Sequence, residues 1–283
     1  MEKRKTLKPI HPSAPIQIAY QKKIDALVDE MNKSITKWII AAYRANQPEM
    51  AQDIGIEIDQ TTSQEIAKAI KQDGSPARVL QSVIKKLKKK WQKKFDEAAP
   101  NLATYFATAV KDRVDSNLKK ILKDGGFTVQ FKMTAKLNDV LQATTMENVS
   151  LIKSIPSQYF SEIEGMVMRS VSAGRDLGTL SKDLQSRFGI TKRRAALISR
   201  DQNNKATASI TRTRQDECGI TEAKWRHSGG GKHPRHEHVG FNGQFYNIKE
   251  GMWSKEAGKF IWPGTEINCR CISVPVIPAL GRR

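Results

Sequence analysis

Four of the five histidines, His227, His233, His236 and His238, fall within twelve residues, and Cys269-Arg270-Cys271 follows downstream. Imidazole and thiolate together suit Zn²⁺. His238 with Cys269 and Cys271 supplies three ligands, and His236 or His233 is the candidate fourth. Structural knuckles usually space paired cysteines by about two to four residues. In extended chain a Cys-x-Cys pair instead puts both thiols on one face and Arg270 on the other. Two readings stay open: a structural zinc that staples a small tail, or two half-buried thiols packing beneath a hairpin, the second preferred. A hydrolytic alternative is a metal-dependent nuclease working through His236, His238 and Asn242. Only Glu237 and Glu250 lie near as acids, and nothing marks Cys269 or Cys271 as an activated nucleophile. Gly229-Gly230-Gly231-Lys232 lacks the spacer and the Ser/Thr of a phosphate-binding loop. The chain is therefore not expected to be an enzyme.

The second chemistry is cationic. With 48 Lys and Arg against 29 Asp and Glu the formal charge is +19, which predicts attraction to polyanions. Seven of the ten residues from Lys85 to Lys94 are lysine: Lys85, Lys86, Lys88, Lys89, Lys90, Lys93 and Lys94. On a helical wheel Leu80, Ile84, Leu87, Trp91 and Phe95 fall within an arc of roughly 80°. The plain reading is an amphipathic helix with a basic wet face; the sharper one is a phosphate-contacting face, continued by Lys192, Arg193, Arg194 and Arg200. A short helix, Gly189-Ile190-Thr191 and a basic helix imitate a helix-turn-helix, but the second helix is long for a recognition helix. DNA contact, or a dedicated DNA-binding module as the alternative, would run through the phosphate backbone without reading sequence.

The positioning elements are mostly helical. Residues 1–16 carry three prolines and read as an extended arm. Ile24, Leu27, Val28, Met31, Ile35, Trp38 and Ile39 then mark a helix to about Arg44. AQDIGIEIDQTTSQ suggests a short strand and a helix from Ser63. Ser75 and Pro76 read as a cap and first turn. A further helix is expected over 102–122, a strand at FTVQFKM, and a helical stripe from Ile152 to Val171 opened by Ser154 and Pro156. Thr179 caps a short helix to Phe188, and Thr191 caps a long one closed by Gly219. Beyond Gly219, short aromatic runs between glycines predict a compact β-rich module, with Asn242-Gly243 as a turn. The fold class is α+β: a mainly helical N-terminal body with long helices and a small β-rich C-terminal module. The longest apolar run, Trp38 to Tyr43, is six residues, against about eighteen for a bilayer span, so no membrane is expected. Three cysteines and a basic start without an apolar stretch suit a reducing cytoplasm.

The ordered series NVSLIKSIPSQYFSEIEGMV, GTLSKDLQSRFGITKRRAALISRDQ, Trp225, RHEHVGFNGQ and WPG…NCRC resembles the phage head morphogenesis (Mu F-like minor head protein) family over about residues 148–275. Its Arg-x-x-His and Asn/Asp-Gly signature corresponds to Arg235, His238, Asn242 and Gly243. Its closing motif corresponds to Pro263, Gly264, Cys269, Arg270 and Cys271. Where many relatives carry an Asp ahead of Arg-x-x-His, this chain has GGGKHP. The resemblance implies a 17–147 helical domain, a 148–277 head morphogenesis domain and a 278–283 tail. It further implies a minor structural protein of a virion head, assembled in the bacterial cytoplasm and sited near the portal vertex or inner capsid. Its role there would lie in head assembly, DNA packaging or DNA release. Expected partners are the portal protein, a major capsid or scaffold protein, and phage DNA.

Overall fold

A computed structural model of the chain describes residues 4–45, 76–172, 177–230 and 233–278. In order, the elements are β1 (Arg4–Thr6), α1 (Ala14–Ala45), α2 (Pro76–Asp124), α3 (Ala135–Ser172), α4 (Leu177–Glu217), β2 (Glu222–Arg226), α5 (His236–Gly240), β3 (Phe245–Asn247), β4 (Met252–Ser254), β5 (Lys259–Ile261) and β6 (Ile272–Pro278). The expected class holds: long helices, then a small antiparallel strand module. The strand and helix expected across 51–64 and the Ser75 cap lie outside the described residues. Among the described residues no helix is long and apolar enough to cross a membrane.

Compactness groups the chain otherwise than along the sequence. One unit is Met1–Gln21, Asn101–Asn148 and Leu197–Arg283; the other is Lys22–Pro100 and Val149–Ala196. Each of the four long helices thus gives part of its length to each unit.

The second unit is a helical body. Its core is the stripe read from the sequence, Leu80, Ile84, Leu87, Trp91 and Phe95, with Ile24, Val28, Met31, Ile35 and Ile39 from α1 and Ile152, Ile155, Tyr159 and Ile163 from α3. Burying each large apolar side chain is worth about 1.5–3 kcal/mol. Polar tips are matched: the Trp91 indole N–H donates to Ser34 Oγ at 3.2 Å, and the Tyr159 hydroxyl to Asn32 Oδ1 at 2.8 Å.

Three expected helix breaks are absent. Pro100 lies inside α2 and Pro156 inside α3. An interior proline costs roughly 3 kcal/mol. The buried stripes carry on through both sites without a change of phase: Phe95, Ala99, Ala103 and Phe106 in α2, Ile152, Ile155 and Tyr159 in α3. Burial on both sides offsets the lost bond. Likewise α4 runs straight through Gly189-Ile190-Thr191. The Thr191 hydroxyl, instead of capping, donates to the Arg187 carbonyl one turn back at 3.1 Å, so no helix-turn-helix exists there. Thr134, by contrast, does cap α3, its Oγ1 accepting the Leu137 N–H at 3.1 Å.

The first unit holds the strands. Its sheet has the order β1-β6-β2-β3, antiparallel throughout, with Thr6 opposite Val276, Trp225 opposite Ser273 and Lys224 opposite Phe245. The expected arm therefore contributes an edge strand, and helix begins at Ala14. Pro275 has no N–H to give, yet its carbonyl accepts the Leu7 N–H at 2.9 Å. That missing donor falls where β1 ends, so a proline is tolerated in a strand with neighbours on both sides. FTVQFKM forms no strand: alternation without a partner does not pair, and Phe131 instead lies beneath the Arg214 guanidinium at 4.7 Å. β4 and β5 make a separate hairpin, Met252 opposite Ile261. The Arg212 guanidinium stacks 4.0 Å over the Trp262 ring that follows β5.

A buried polar chain runs through this unit. The Tyr20 hydroxyl donates to Asn148 Oδ1 at 2.8 Å, Asn148 Nδ2 to Gln202 Oε1 at 2.9 Å, and Gln202 Nε2 to Glu147 Oε1 at 2.9 Å. α4 ends on Gly219 at φ 73°, with the Ile220 N–H returning to the Gln215 carbonyl.

Candidate functional site

His238 sits on α5, a helix of five residues. Glu237 fixes this short helix by accepting the Lys255 N–H at 2.7 Å and the Ser254 hydroxyl. Those bonds, Ser254 first, hold its carboxyl below the ordinary range. His238 is turned inward, with the edge of Trp225 at 5.3 Å between centroids. His236, two residues earlier, faces solvent. Residues two apart on a helix point about 200° apart, so only one of the pair can face the core. His236 does not join the cluster, and the fourth-ligand expectation placed on it is corrected.

The two cysteines come from the loop between β5 and β6, which is seated on α4. Gly264 has φ 85°, and a Cβ there would meet Ala208 Cβ at 3.0 Å and the Cys271 carbonyl at 3.2 Å. Only glycine lets the loop approach the helix this closely. Asn268, at φ 60°, gives its N–H to Asp201 Oδ1 at 2.6 Å. Asn204 Nδ2 donates to the Cys269 carbonyl at 3.0 Å, and Arg235 Nη2 to the Ile267 carbonyl at 3.1 Å.

Held this way, Cys269 and Cys271 are both buried and both reach His238. Nδ1 lies 3.5 Å from Cys269 Sγ and 3.8 Å from Cys271 Sγ, and the three donor atoms fall within 4.8 Å of one another. The alternation expected of Cys-x-Cys is kept although neither residue is in a strand, with Arg270 exposed between them. The Cys271 thiol, then His238 and the Gly264 N–H at 3.4 Å, bond to the Cys269 sulfur and hold its pKa well below the thiol range. Cys271 is pushed up, by its bond to Cys269 and by burial. The indole N–H of Trp225, buried and otherwise without a partner, bears on the Cys271 sulfur and opposes that rise.

The cluster forms one wall of a cleft of about 430 Å³, lined also by Arg200, His227, His233, Arg235 and Arg270. Trp225, Ala223, Tyr246, Ile248 and Ile261 pack behind the cysteines. Asn242 is committed to the fold: its Oδ1 accepts the His227 N–H at 3.0 Å, while the Gly243 N–H, at φ 87°, goes to the Trp225 carbonyl. Of the three residues named for a nuclease, His236, His238 and Asn242, His238 alone lines the cleft. Pro263 is buried under the loop beside Gly264.

Of the basic residues named for DNA contact, Arg200 lines this cleft. Lys85, Lys86, Lys88, Lys89, Lys90, Lys93 and Arg193 are exposed. Some have acidic partners: Lys94 pairs with Glu30, Lys93 with Glu97 at 3.8 Å, and Lys192 with Asp29 at 2.9 Å and Asp25 at 3.5 Å. Arg194 donates to Ser154 Oγ at 3.0 Å, and Arg200 to Asn268 Oδ1 at 3.4 Å.

Sequence reasoning missed Asp201 and Asn204, which anchor the loop. The available signal was the polar run Asp201-Gln202-Asn203-Asn204 inside a helix. All four side chains are buried, Gln202 and Asn203 almost wholly, and buried polar residues need partners.

A loop carrying a buried His–Cys–Cys cluster, closed onto a long helix and backed by a small sheet, defines the class of module. Residues 161–274, which hold the whole cleft, match the family described as Phage Mu protein F like protein. This bears out the resemblance read from the motifs over that segment. A Haemophilus influenzae protein described as "Uncharacterized protein" is 28% identical over 207 residues, which is 71% of this chain and 44% of the relative. The chain thus spans less than half the length of that relative. No solved structure matches the chain.

Proposed function

We propose that the protein is a minor structural component of a tailed-phage head, docked at the portal vertex or inner capsid and acting in head assembly, DNA packaging or DNA release. The observation that carries this reading is the family match across 161–274, with its motif residues gathered around one loop. Arg235, Asn242 and Gly264 each serve that loop or the turns beside it, as expected of a signature kept for architecture. The +19 charge fits a protein beside packaged DNA. Pull-down with portal subunits from infected cells tests docking: co-purification is expected, and capture of neither portal nor capsid protein would remove the assignment.

DNA contact is assigned to the exposed lysines of α2, chiefly Lys85, Lys88, Lys89 and Lys90. Lys94 and Lys192 have acidic partners and contribute less. Neutralising the four should weaken DNA binding and lower the slope of log affinity against log salt by about 0.9 per lost phosphate contact. Unchanged affinity and slope would make them a solvated face only.

A further inference from the structure

The two sulfurs share a single nitrogen. Nδ1 of a neutral imidazole can accept one S–H, yet both Cys269 and Cys271 approach it, at 3.5 and 3.8 Å. Two sulfurs closing on one imidazole nitrogen is the arrangement that a metal imposes. With Zn–S at about 2.3 Å and Zn–N at about 2.0 Å, a tetrahedral site has N···S edges of about 3.5 Å. Both observed distances lie close to that edge. The surroundings also suit thiolates: the Gly264 N–H points at Cys269 Sγ at 3.4 Å. Hydrogen bonds of this kind around ligating groups orient them and support their charge. An aromatic wall, Trp225 and Phe241, closes the inner side of His238.

The outer side is open. His238, Cys269 and Cys271 all line the basic cleft, with Arg200, Arg235 and Arg270 in its walls. Three protein ligands leave a fourth position, and the cleft beside them is lined by three arginines.

We propose that His238 Nδ1, Cys269 Sγ and Cys271 Sγ form a divalent-metal centre of the Zn²⁺ type, whose fourth position opens to the cleft and takes a phosphate oxygen in place of water. The thiols release their protons to solvent as the metal enters. The centre fixes the loop on β2 and α5 while the arginines draw the anion. This inference stands apart from the head assignment, since it rests on the cluster and cleft alone.

Co²⁺ is the probe. Titrated into the reduced full-length protein, it should give a thiolate-to-cobalt charge-transfer band saturating at one equivalent, with intense visible bands of tetrahedral type, both lost on adding Zn²⁺. Absence of the charge-transfer band in the unaltered protein overturns the site, whatever any variant does. Cys269→Ser should halve the band and His238→Ala should weaken binding at least tenfold, while His236→Ala, altering an exposed residue, should change neither; loss through His236 would also overturn the assignment. Inorganic phosphate, and separately a short oligonucleotide, are then added to the cobalt protein. A shift of the visible bands with either supports the open position, the responding probe naming the phosphate source. Unchanged bands with both overturn it.

Discussion

The Asp201 carboxylate, on the long helix α4, takes the backbone N–H of Asn268 at 2.6 Å, and Asn268 is the residue that turns the chain left-handed just before Cys269. One side chain on a helix thereby sets the direction in which the next residue points. Asp201→Ala should cost about 1.5–3 kcal/mol, the range for a hydrogen bond to a charged group, and Asp201→Asn less. Hydrogen exchange checks it: the amides of Asn268 and Cys269 should lose protection first. Unaltered protection there would mean the loop is held by other contacts.

Gly264 makes a sharper test of the same seat. Gly264→Ala adds a Cβ at 3.0 Å from Ala208 Cβ in a left-handed conformation, so a loss of about 1–3 kcal/mol is expected. Ala208→Gly removes the opposing carbon at a helix cost of about 1 kcal/mol. In the double variant the two losses should sum to more than the measured one. Strict additivity in denaturant unfolding would show that the close approach is unimportant.

How far could these arrangements be read from sequence? Leu80 to Phe95 was legible because the apolar period and the lysine contrast agree. Pro100, Pro156 and Gly189 misled because each obeys a local rule that burial on either side overrides. β1 is three residues long and carries no pattern of its own; only its partner β6 reveals it. Residue type and spacing singled out His238, Cys269 and Cys271, and the resemblance picked out the same three. Their convergence, and the exclusion of His236, needed helix phase and the loop's seat on Asp201 and Asn204, which long-range contacts alone decide.

Arg214 is the principal buried cation of the first unit, 2% exposed at its side chain. It grips Asp115 through two bonds at 2.7 and 2.8 Å, and also reaches Glu217 and the Lys132 carbonyl. Arg214→Met leaves the Asp115 carboxylate only Lys111, at 3.3 Å, and should cost about 3 kcal/mol, the low end for breaking a buried pair. Arg214→Lys should recover little of it, since an ammonium cannot make the forked contact. Thermal unfolding reads both; near-wild-type stability of the Lys variant would reduce the contact to simple charge pairing.

Burial pushes the phenols of Tyr20, Tyr159 and Tyr246 above the ordinary tyrosine range. A folded-state pKa above the unfolded value of about 10 means the neutral phenol is the form the fold favours. The stability it brings is full below that pH and drains away as pH rises further. In a spectrophotometric titration these three should ionise only as the protein unfolds. Tyr20→Phe should therefore remove phenolate absorbance from the unfolding phase and none from the earlier one. Loss from the earlier phase would contradict the buried setting.

The head assignment is tested most directly by cross-linking mass spectrometry on purified phage heads, for which the lysine-rich α2 supplies reactive sites. The account predicts peptides of this chain in the particles, in fewer copies than the major capsid protein and linked to portal or inner capsid subunits. Heads and assembly intermediates that both lack the chain would contradict it.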